Sequence, residues 1–205
     1  MISAEQALSE LKKGNQRYVE CYQNSNVQLN SEQRSQLASG QAPFAIILGC
    51  SDSRVPAEIV FDQGLGDLFV IRVAGNIVAP SQIASVEFAV ESFGTPLVVV
   101  MGHSNCGAIN ATVDYLLDSD ANVASGNLES IVTRISPAVL GLIKQNINIK
   151  ADQLKQVAVK ANVEKSVQKL VGNSDILTKA LAEKRLTIVG AEYSLESGQV
   201  EFFDD

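Results

Sequence analysis

Four short runs of consecutive apolar residues stand out along this 205-residue chain. They cover residues 44–48, 68–73, 97–101 and 186–191. Such runs are typical of parallel strands that are covered on both faces of a sheet. Elsewhere apolar residues recur every three to four positions, which predicts helices. These helices are expected over 81–93, 106–117, 129–146, 152–171 and 174–184.

The alternation of strands and helices predicts an α/β fold with a central, mainly parallel sheet of four strands flanked by helices. A Ser197-Gly198 turn precedes a last apolar stretch, 200–203, which adds a C-terminal edge strand. We expect one domain over residues 1–205, because a chain of this length is large enough to bury one substantial core. Its α/β core is expected over 41–205.

Residues 1–40 are expected to form an N-terminal helical arm. Ser3 and Gln6 are spaced as a capping box before a helix with an apolar stripe. A polar stretch, 23–30, separates this helix from a short one that begins near Ser31 and ends at Gly40. The arm could pack on its own core or on a second subunit, and the sequence leaves both possibilities open.

Composition and charge exclude several classes of partner. The net charge is −7 with an isoelectric point near 4.8, and the chain has no run of Lys and Arg. Nucleic acids and anionic membranes are therefore poor partners. No apolar stretch reaches the roughly 18 residues of a membrane span, and the N-terminus does not resemble a signal peptide. With three cysteines, an odd number, a disulfide framework is not expected, which favours the cytoplasm.

The candidate chemistry is concentrated at the ends of two predicted strands. Cys50 follows the first apolar run, while the only histidine, His103, and Cys106 follow the third. Because the carboxyl ends of parallel strands meet at one edge of a sheet, these three residues should converge. Two thiolates and one imidazole are typical zinc ligands, and catalytic zinc keeps a fourth position open. The sequence predicts a zinc enzyme.

Two charged residues near Cys50 extend this site. If the chain continues extended beyond the strand, the side chains of Cys50, Asp52 and Arg54 point to one side. Arg54 could then grip Asp52 bidentately and keep it ionised. Asp52 could be a fourth zinc ligand, or it could orient a zinc-bound water from the second shell, and both remain open. A solvated turn with a surface ion pair is the simpler alternative for this motif.

The segment that carries His103 and Cys106 is expected to lead directly into a helix. Ser104 or Asn105 could cap the following helix, which would place Cys106 in its first turn, where the helix dipole favours a thiolate. Cys21 lies on the first predicted helix with no constellation of polar residues nearby that would suggest a site, and we expect a semi-buried free thiol there. A redox role is weakly supported, because the chain has no Cys-x-x-Cys pair.

These residues resemble the β-class carbonic anhydrases. The similarity spans about residues 40–200 and includes Cys50–Pro56, Phe61–Arg72, Ala74–Asn76 and Gly102–Gly107. It implies reversible hydration of carbon dioxide to bicarbonate and a proton by zinc-bound hydroxide, with one zinc ion per subunit. The roles it implies are metal binding by Cys50, His103 and Cys106, a catalytic pair of Asp52 and Arg54, and substrate contacts from Gln41, Phe69, Phe88 and the Gly107 N–H.

The resemblance also bears on assembly and regulation. It implies a homodimer or a higher homo-oligomer with active sites at the interface. A tryptophan that closes the site in one subgroup is replaced here by Ile47, so we expect the open form with water on zinc. Phe88 stands where many members have tyrosine. Relatives that hydrolyse carbonyl sulfide or carbon disulfide share these ligands, and a catalytically silent zinc-binding homologue is a further alternative.

Overall fold

The protein is described here by a computed structural model covering residues 2–21, 35, 37–118, 125–145 and 149–203. The strands in these ranges are β1 (Ala45–Gly49), β2 (Leu68–Arg72), β3 (Leu97–His103), β4 (Thr187–Tyr193) and β5 (Val200–Phe202). The helices are α1 (Ala4–Val19), α2 (Ala57–Val60), α3 (Pro80–Phe93), α4 (Gly107–Leu117), α5 (Gly126–Gln145), α6 (Ala151–Gly172) and α7 (Asp175–Ala182). A single 3-10 turn, Ala74–Asn76, follows β2.

The five strands form one sheet in the order β2-β1-β3-β4-β5. All neighbouring pairs are parallel except β4 and β5, which are antiparallel. The predicted sheet of four parallel strands with a C-terminal edge strand is therefore confirmed. From β1 the chain moves outward to β2 and then returns to the other side of β1 as β3. The order reverses at this point, and ligand sites in parallel sheets lie outside the carboxyl ends of the strands at such a reversal.

Alternate residues of β1 face opposite layers of the core, as the period of a strand requires. Ile47 packs with Ala7 and Leu11 of α1, whereas Ile46 and Leu48 pack with residues of α3, α6 and α7. A third apolar cluster, built mainly from α4, α5 and α6, covers the carboxyl end of the sheet. The central strands β1 and β3 are buried on both faces, and their sequences are therefore apolar apart from His103 at the end of β3.

The first helix lies on its own sheet. Ala7 and Leu11 are fully buried there, and the Ser3–Gln6 capping box is present as predicted. Asn15 ties the helix further by donating to the carbonyls of Val60 and Gly198 at 3.1 and 2.9 Å. Much of the second predicted helix, 31–40, and the polar stretch 23–30 lie outside the described residues. The expectation of a semi-buried Cys21 is wrong, because this thiol is exposed after the end of α1.

The predicted helices and strands lie close to the observed ones. Helix α3 ends at Gly94, whose φ of 63° is left-handed and suits glycine. Strand β3 runs two residues further than predicted, so that His103 is its last residue. Within the described part of the chain, no helix is both long enough and apolar enough to cross a membrane.

Candidate metal centre and active site

Cys50, His103 and Cys106 come together at the carboxyl end of the sheet. Cys50 follows β1, His103 ends β3, and Cys106 is the N-cap residue of α4. One ligand atom from each residue lies within 4.8 Å of the other two, and all three residues are buried. The convergence predicted from the strand ends is confirmed.

The spacing of these donors fits a tetrahedral zinc ion. Two sulfurs bound to zinc at about 2.3 Å would lie about 3.8 Å apart, and the Sγ atoms of Cys50 and Cys106 are 4.0 Å apart. His103 Nε2 is buried and has no hydrogen-bond partner among the described residues. Its Nδ1 lies 2.9 Å from the Ser104 carbonyl oxygen, which orients the ring. A buried nitrogen without a partner is costly, and a metal ion would satisfy it.

The two sulfurs influence each other's charge strongly. The hydrogen bond with Cys106 lowers the pKa of Cys50 to about 4, outweighing the burial that raises it. The same contact, together with burial, raises the pKa of Cys106. Without a cation the pair therefore keeps one proton, because a second buried negative charge so close would be unfavourable. A divalent cation removes this restriction, and the donor set thus fits zinc chemically as well as in its spacing.

Asp52 and Arg54 form the expected bidentate pair. Arg54 Nε and Nη2 donate to Asp52 Oδ1 and Oδ2 at 2.9 and 2.8 Å. Hydrogen bonds from Arg54 hold the pKa of the Asp52 carboxyl well below its usual range. Asp52 Oδ2 also lies 3.8 Å from His103 Nε2. The carboxylate therefore borders the three ligands while its two oxygens are held by the guanidinium.

The chain does not continue extended over residues 50–54, which was the condition considered for placing these side chains on one side. The backbone N–H of Arg54 donates to Asp52 Oδ1 at 3.0 Å, and the N–H of Val55 donates to the Asp52 carbonyl oxygen, also at 3.0 Å. These bonds form a tight turn, because an aspartate side chain readily accepts from a backbone N–H two residues later. The turn, rather than a strand-like alternation, brings the guanidinium onto the carboxylate.

Arg72 supports this turn, a role that the sequence reasoning did not assign. It ends β2, and its guanidinium donates to the Cys50 carbonyl oxygen at 2.8 Å and to that of Asp52. Because β2 and β1 are parallel neighbours, Gly49 pairs with Arg72 and the next residues of the chain come within reach. The sequence did contain a signal for this role, because Arg72 is a charged residue at the end of an otherwise apolar strand.

The expected caps of the helix after His103 are also wrong. Ser104 Oγ and Asn105 Nδ2 instead donate to the carboxylate of Glu196 at 2.9 and 2.8 Å. Cys106 itself is the N-cap residue, so it precedes the first turn of α4. The side chains that could have capped the helix are committed to a distant acidic residue, which braces the loop carrying two of the three ligands.

Comparison with known proteins identifies the family. The sequence profile of the carbonic anhydrase family matches residues 45–200. The chain is 38% identical to carbonic anhydrase 2 of Mycobacterium tuberculosis over 194 residues, covering 95% of this chain and 90% of that protein. It is 39% identical over 191 residues to a carbonic anhydrase of Mycolicibacterium smegmatis, covering 93% and 89%. The chain belongs to the β-carbonic anhydrase family.

A solved member of the family shows the same fold. The tetrameric β-carbonic anhydrases of Sordaria macrospora include a chain with a TM-score of 0.74 and 24% identity, over 98% of this chain and 96% of that one. Membership thus agrees with the resemblance noted in the sequence. We call Cys50, Asp52, Arg54, His103 and Cys106 the metal end of this β-carbonic anhydrase.

The other residues implied by the family lie elsewhere. Gln41 is exposed and lines a groove of about 640 Å³ together with Leu65 and Phe93. The Phe93 ring packs on Phe69 and Phe88 with centroid distances of 6.1 and 5.5 Å. We call Gln41, Phe69, Phe88 and Phe93 the aromatic edge, since they gather near the outer strand β2.

No hydrogen bond or ring contact among the described residues joins the aromatic edge to the metal end. Phe69 packs with the cluster of Ile46 and Leu48, and Phe88 is 54% exposed. Gly107, in contrast, is the first residue of α4 and directly follows a ligand. It is exposed, and a Cβ placed on it would meet no other atom within 4 Å, so its backbone is approachable.

Proposed function

We propose that this protein is a zinc-dependent carbonic anhydrase that reversibly hydrates carbon dioxide to bicarbonate and a proton. The observation that carries this proposal is the cluster of two thiols and one imidazole beside an aspartate held by arginine. The family membership supports it, since relatives 38 and 39% identical are named carbonic anhydrases.

Cys50, His103 and Cys106 would hold the zinc ion and leave one position for water or substrate. When bound, zinc would supply Lewis acidity, which lowers the pKa of water towards neutrality, although two thiolate ligands lower it less than imidazoles would. Asp52 contributes an ionised carboxylate that accepts a hydrogen bond from the attacking water and orients it. Arg54 holds both oxygens of that carboxylate, which keeps it directed away from direct metal binding and favours the open form.

The substrate pocket requires a second chain in this proposal. Gln41 would donate to an oxygen of the substrate, and Phe69 and Phe88 would form an apolar wall for carbon dioxide at the metal end of a partner. The exposure of Gln41 and Phe88 supports this arrangement, as does the tetrameric state named for the relatives from Sordaria macrospora. The Gly107 N–H, next to Cys106, would serve substrate from the chain that holds the metal.

The test combines metal analysis with stopped-flow carbon dioxide hydration for wild type and Asp52→Ala. We expect one zinc per chain in both, with hydration by the variant reduced about a hundredfold or more, since positioned acid–base groups contribute at least this much. Asp114→Ala is the matched control, because Asp114 pairs with Lys155 on the surface and should leave the rate unchanged. Hydrolysis of carbonyl sulfide without hydration of carbon dioxide would contradict the proposal, and so would zinc binding with neither activity.

A further inference from the structure

Two polar side chains interrupt the buried face of α6 behind the metal end. Asn162 is 1% exposed and Ser166 is 3% exposed. The other buried residues of this helix are apolar, namely Leu154, Ala158, Val159, Val163 and Leu170. Burying an amide is unfavourable unless it makes hydrogen bonds. The hydrogen-bond partners of Asn162 and Ser166 should therefore explain why polar residues occupy these two buried positions.

Both side chains hold the Ala74–Asn76 turn. Asn162 Nδ2 donates to the Gly75 carbonyl oxygen at 2.9 Å, and Ser166 Oγ donates to that of Asn76 at 3.1 Å. Gly75 and Asn76 have left-handed φ values of 68° and 42°. A Cβ on Gly75 would lie 2.8 Å from Ile135 Cδ1. The turn thus needs glycine for its conformation and for its close packing against α5.

The same glycine contacts a metal ligand. The Gly75 N–H donates to Cys50 Sγ across 3.4 Å. We infer that Asn162 is a positioning residue for the Cys50 sulfur, because it holds the Gly75 carbonyl and thereby aims the Gly75 N–H at that sulfur. A hydrogen bond to a thiolate stabilises its charged form and fixes its direction, and such outer contacts tune metal sites. This inference deepens the proposed zinc centre and rests on metal binding there.

A first measurement needs no variant. In wild-type protein loaded with cadmium-113, we expect a scalar coupling between the metal and the Gly75 amide proton, transmitted through the hydrogen bond to Cys50 Sγ. Absence of this coupling, with cadmium bound stoichiometrically, would overturn the inference. The measurement distinguishes this inference from the proposed reaction, because the coupling can be present whether or not the zinc enzyme hydrates carbon dioxide.

The role of Asn162 is tested by Asn162→Leu, which keeps the approximate volume and removes the donor. We expect roughly tenfold weaker zinc binding in competition with a chelator. In the cobalt-loaded protein, the thiolate-to-metal charge-transfer band should move to lower energy, because the sulfur loses a hydrogen bond. If Asn162→Leu does not fold, Asn162→Ser, which is too short to reach the carbonyl, replaces it in the same measurements.

Ser166→Ala is the matched control. It removes a neighbouring hydrogen bond from the same helix to the same turn, but to Asn76 rather than to Gly75. This variant should melt at a lower temperature while its zinc affinity and cobalt band stay those of wild type. Equal shifts of the band in both variants would assign Asn162 a general structural role and overturn the inference, as would an unchanged band and affinity in Asn162→Leu.

Discussion

The metal end and the aromatic edge of this molecule are built in opposite ways. At the metal end, the three ligands are buried and lie on segments that are braced by Arg54, Arg72 and Glu196. At the aromatic edge, Phe88 is 54% exposed and Gln41 lies in an open groove beside the outer strand. One chain therefore brings all three candidate ligands together by itself, whereas Gln41 and Phe88 are exposed, which supports the proposal that they act on a partner.

The largest effect is expected at the metal end. Cys106→Ser replaces a buried sulfur ligand with a hydroxyl and should abolish stoichiometric zinc binding. Loss of a Lewis acid worth several kcal/mol corresponds to a fall in hydration on the order of a thousandfold. Cys21→Ser is the control, since Cys21 is exposed and should be replaceable without effect. Metal analysis and stopped-flow assays measure both. Full zinc content in Cys106→Ser would contradict the assigned ligand set.

A smaller effect is expected from Arg54→Gln, which releases Asp52. Zinc content should remain, and hydration should fall roughly tenfold, since outer contacts at metal sites typically contribute ten- to a hundredfold. Hydrogen bonds from Arg54 lower the pKa of Asp52, so that pKa rises towards its ordinary value in the variant. The carboxylate of the variant then takes up its proton at a higher pH than in wild type. As the pH is lowered, the variant should therefore lose activity earlier, and the acid limb of its pH–rate profile should lie at higher pH.

Arg185→Gln is a matched control for this variant. Arg185 also pairs with a carboxylate two residues away, Glu183, at 2.7 Å, but the Glu183 side chain is 44% exposed whereas that of Asp52 is 18% exposed. Its loss should change neither the rate nor the pH profile. An unchanged acid limb in Arg54→Gln would show that the Asp52–Arg54 pair does not set the protonation state used in catalysis.

Gln41→Ala tests whether the two regions meet across subunits. We expect up to tenfold slower hydration with full zinc content, which corresponds to one lost hydrogen bond. Mixing Gln41→Ala with Cys106→Ser chains should restore intact sites, because one chain supplies the metal and the other supplies Gln41. When equal amounts pair at random as two-fold dimers, about half of the dimers are hybrids, and each hybrid has one intact site of its two. About a quarter of all sites should therefore be restored.

The control mixture combines Arg54→Gln with Cys106→Ser chains. Both changes lie at the metal end, so their hybrid contains no intact site and should show no recovery. If hydration activity recovers equally in both mixtures, or in neither, Gln41 does not act on the metal end of a second chain. The proposed division between a metal end within one chain and an aromatic edge that serves the partner would then be wrong.

The smallest effect is expected from Phe88→Tyr. Because Phe88 is 54% exposed on its own chain, the added hydroxyl can point into the open substrate pocket proposed there, and the free energy of unfolding should change by less than about 0.5 kcal/mol. Phe61→Tyr is the contrasting control, since Phe61 is fully buried and a hydroxyl without a partner costs about 1–3 kcal/mol. Chemical denaturation of both variants measures the difference. A large loss in Phe88→Tyr would show that the partner packs tightly against this ring and leaves no open pocket for carbon dioxide beside it.

The central strands β1 and β3 were predictable because they are buried at every position. Ala45–Gly49 is buried at every position, so the run is continuously apolar and its position follows from the sequence. The Ala74–Asn76 turn was not predicted, because it depends on hydrogen bonds from Asn162 and Ser166, which follow their partners by 87 and 90 residues. The conformation of the Asp52 turn was missed for a related reason, since extended and turned backbones both allow the pairing with Arg54.

The candidate metal ligands and the sheet that brings them together could be inferred from the amino-acid sequence alone. Two cysteines and a histidine follow or end apolar runs, and the carboxyl ends of parallel strands lie at a common edge of the sheet. This was enough to predict that the three side chains converge. Three contacts became visible only in the folded chain: α1 covers its own sheet, Glu196 binds the side chains expected to cap α4, and the Gly75 N–H faces Cys50. These contacts join residues far apart in the chain, and local patterns of polarity carry no information about which distant polar groups will meet.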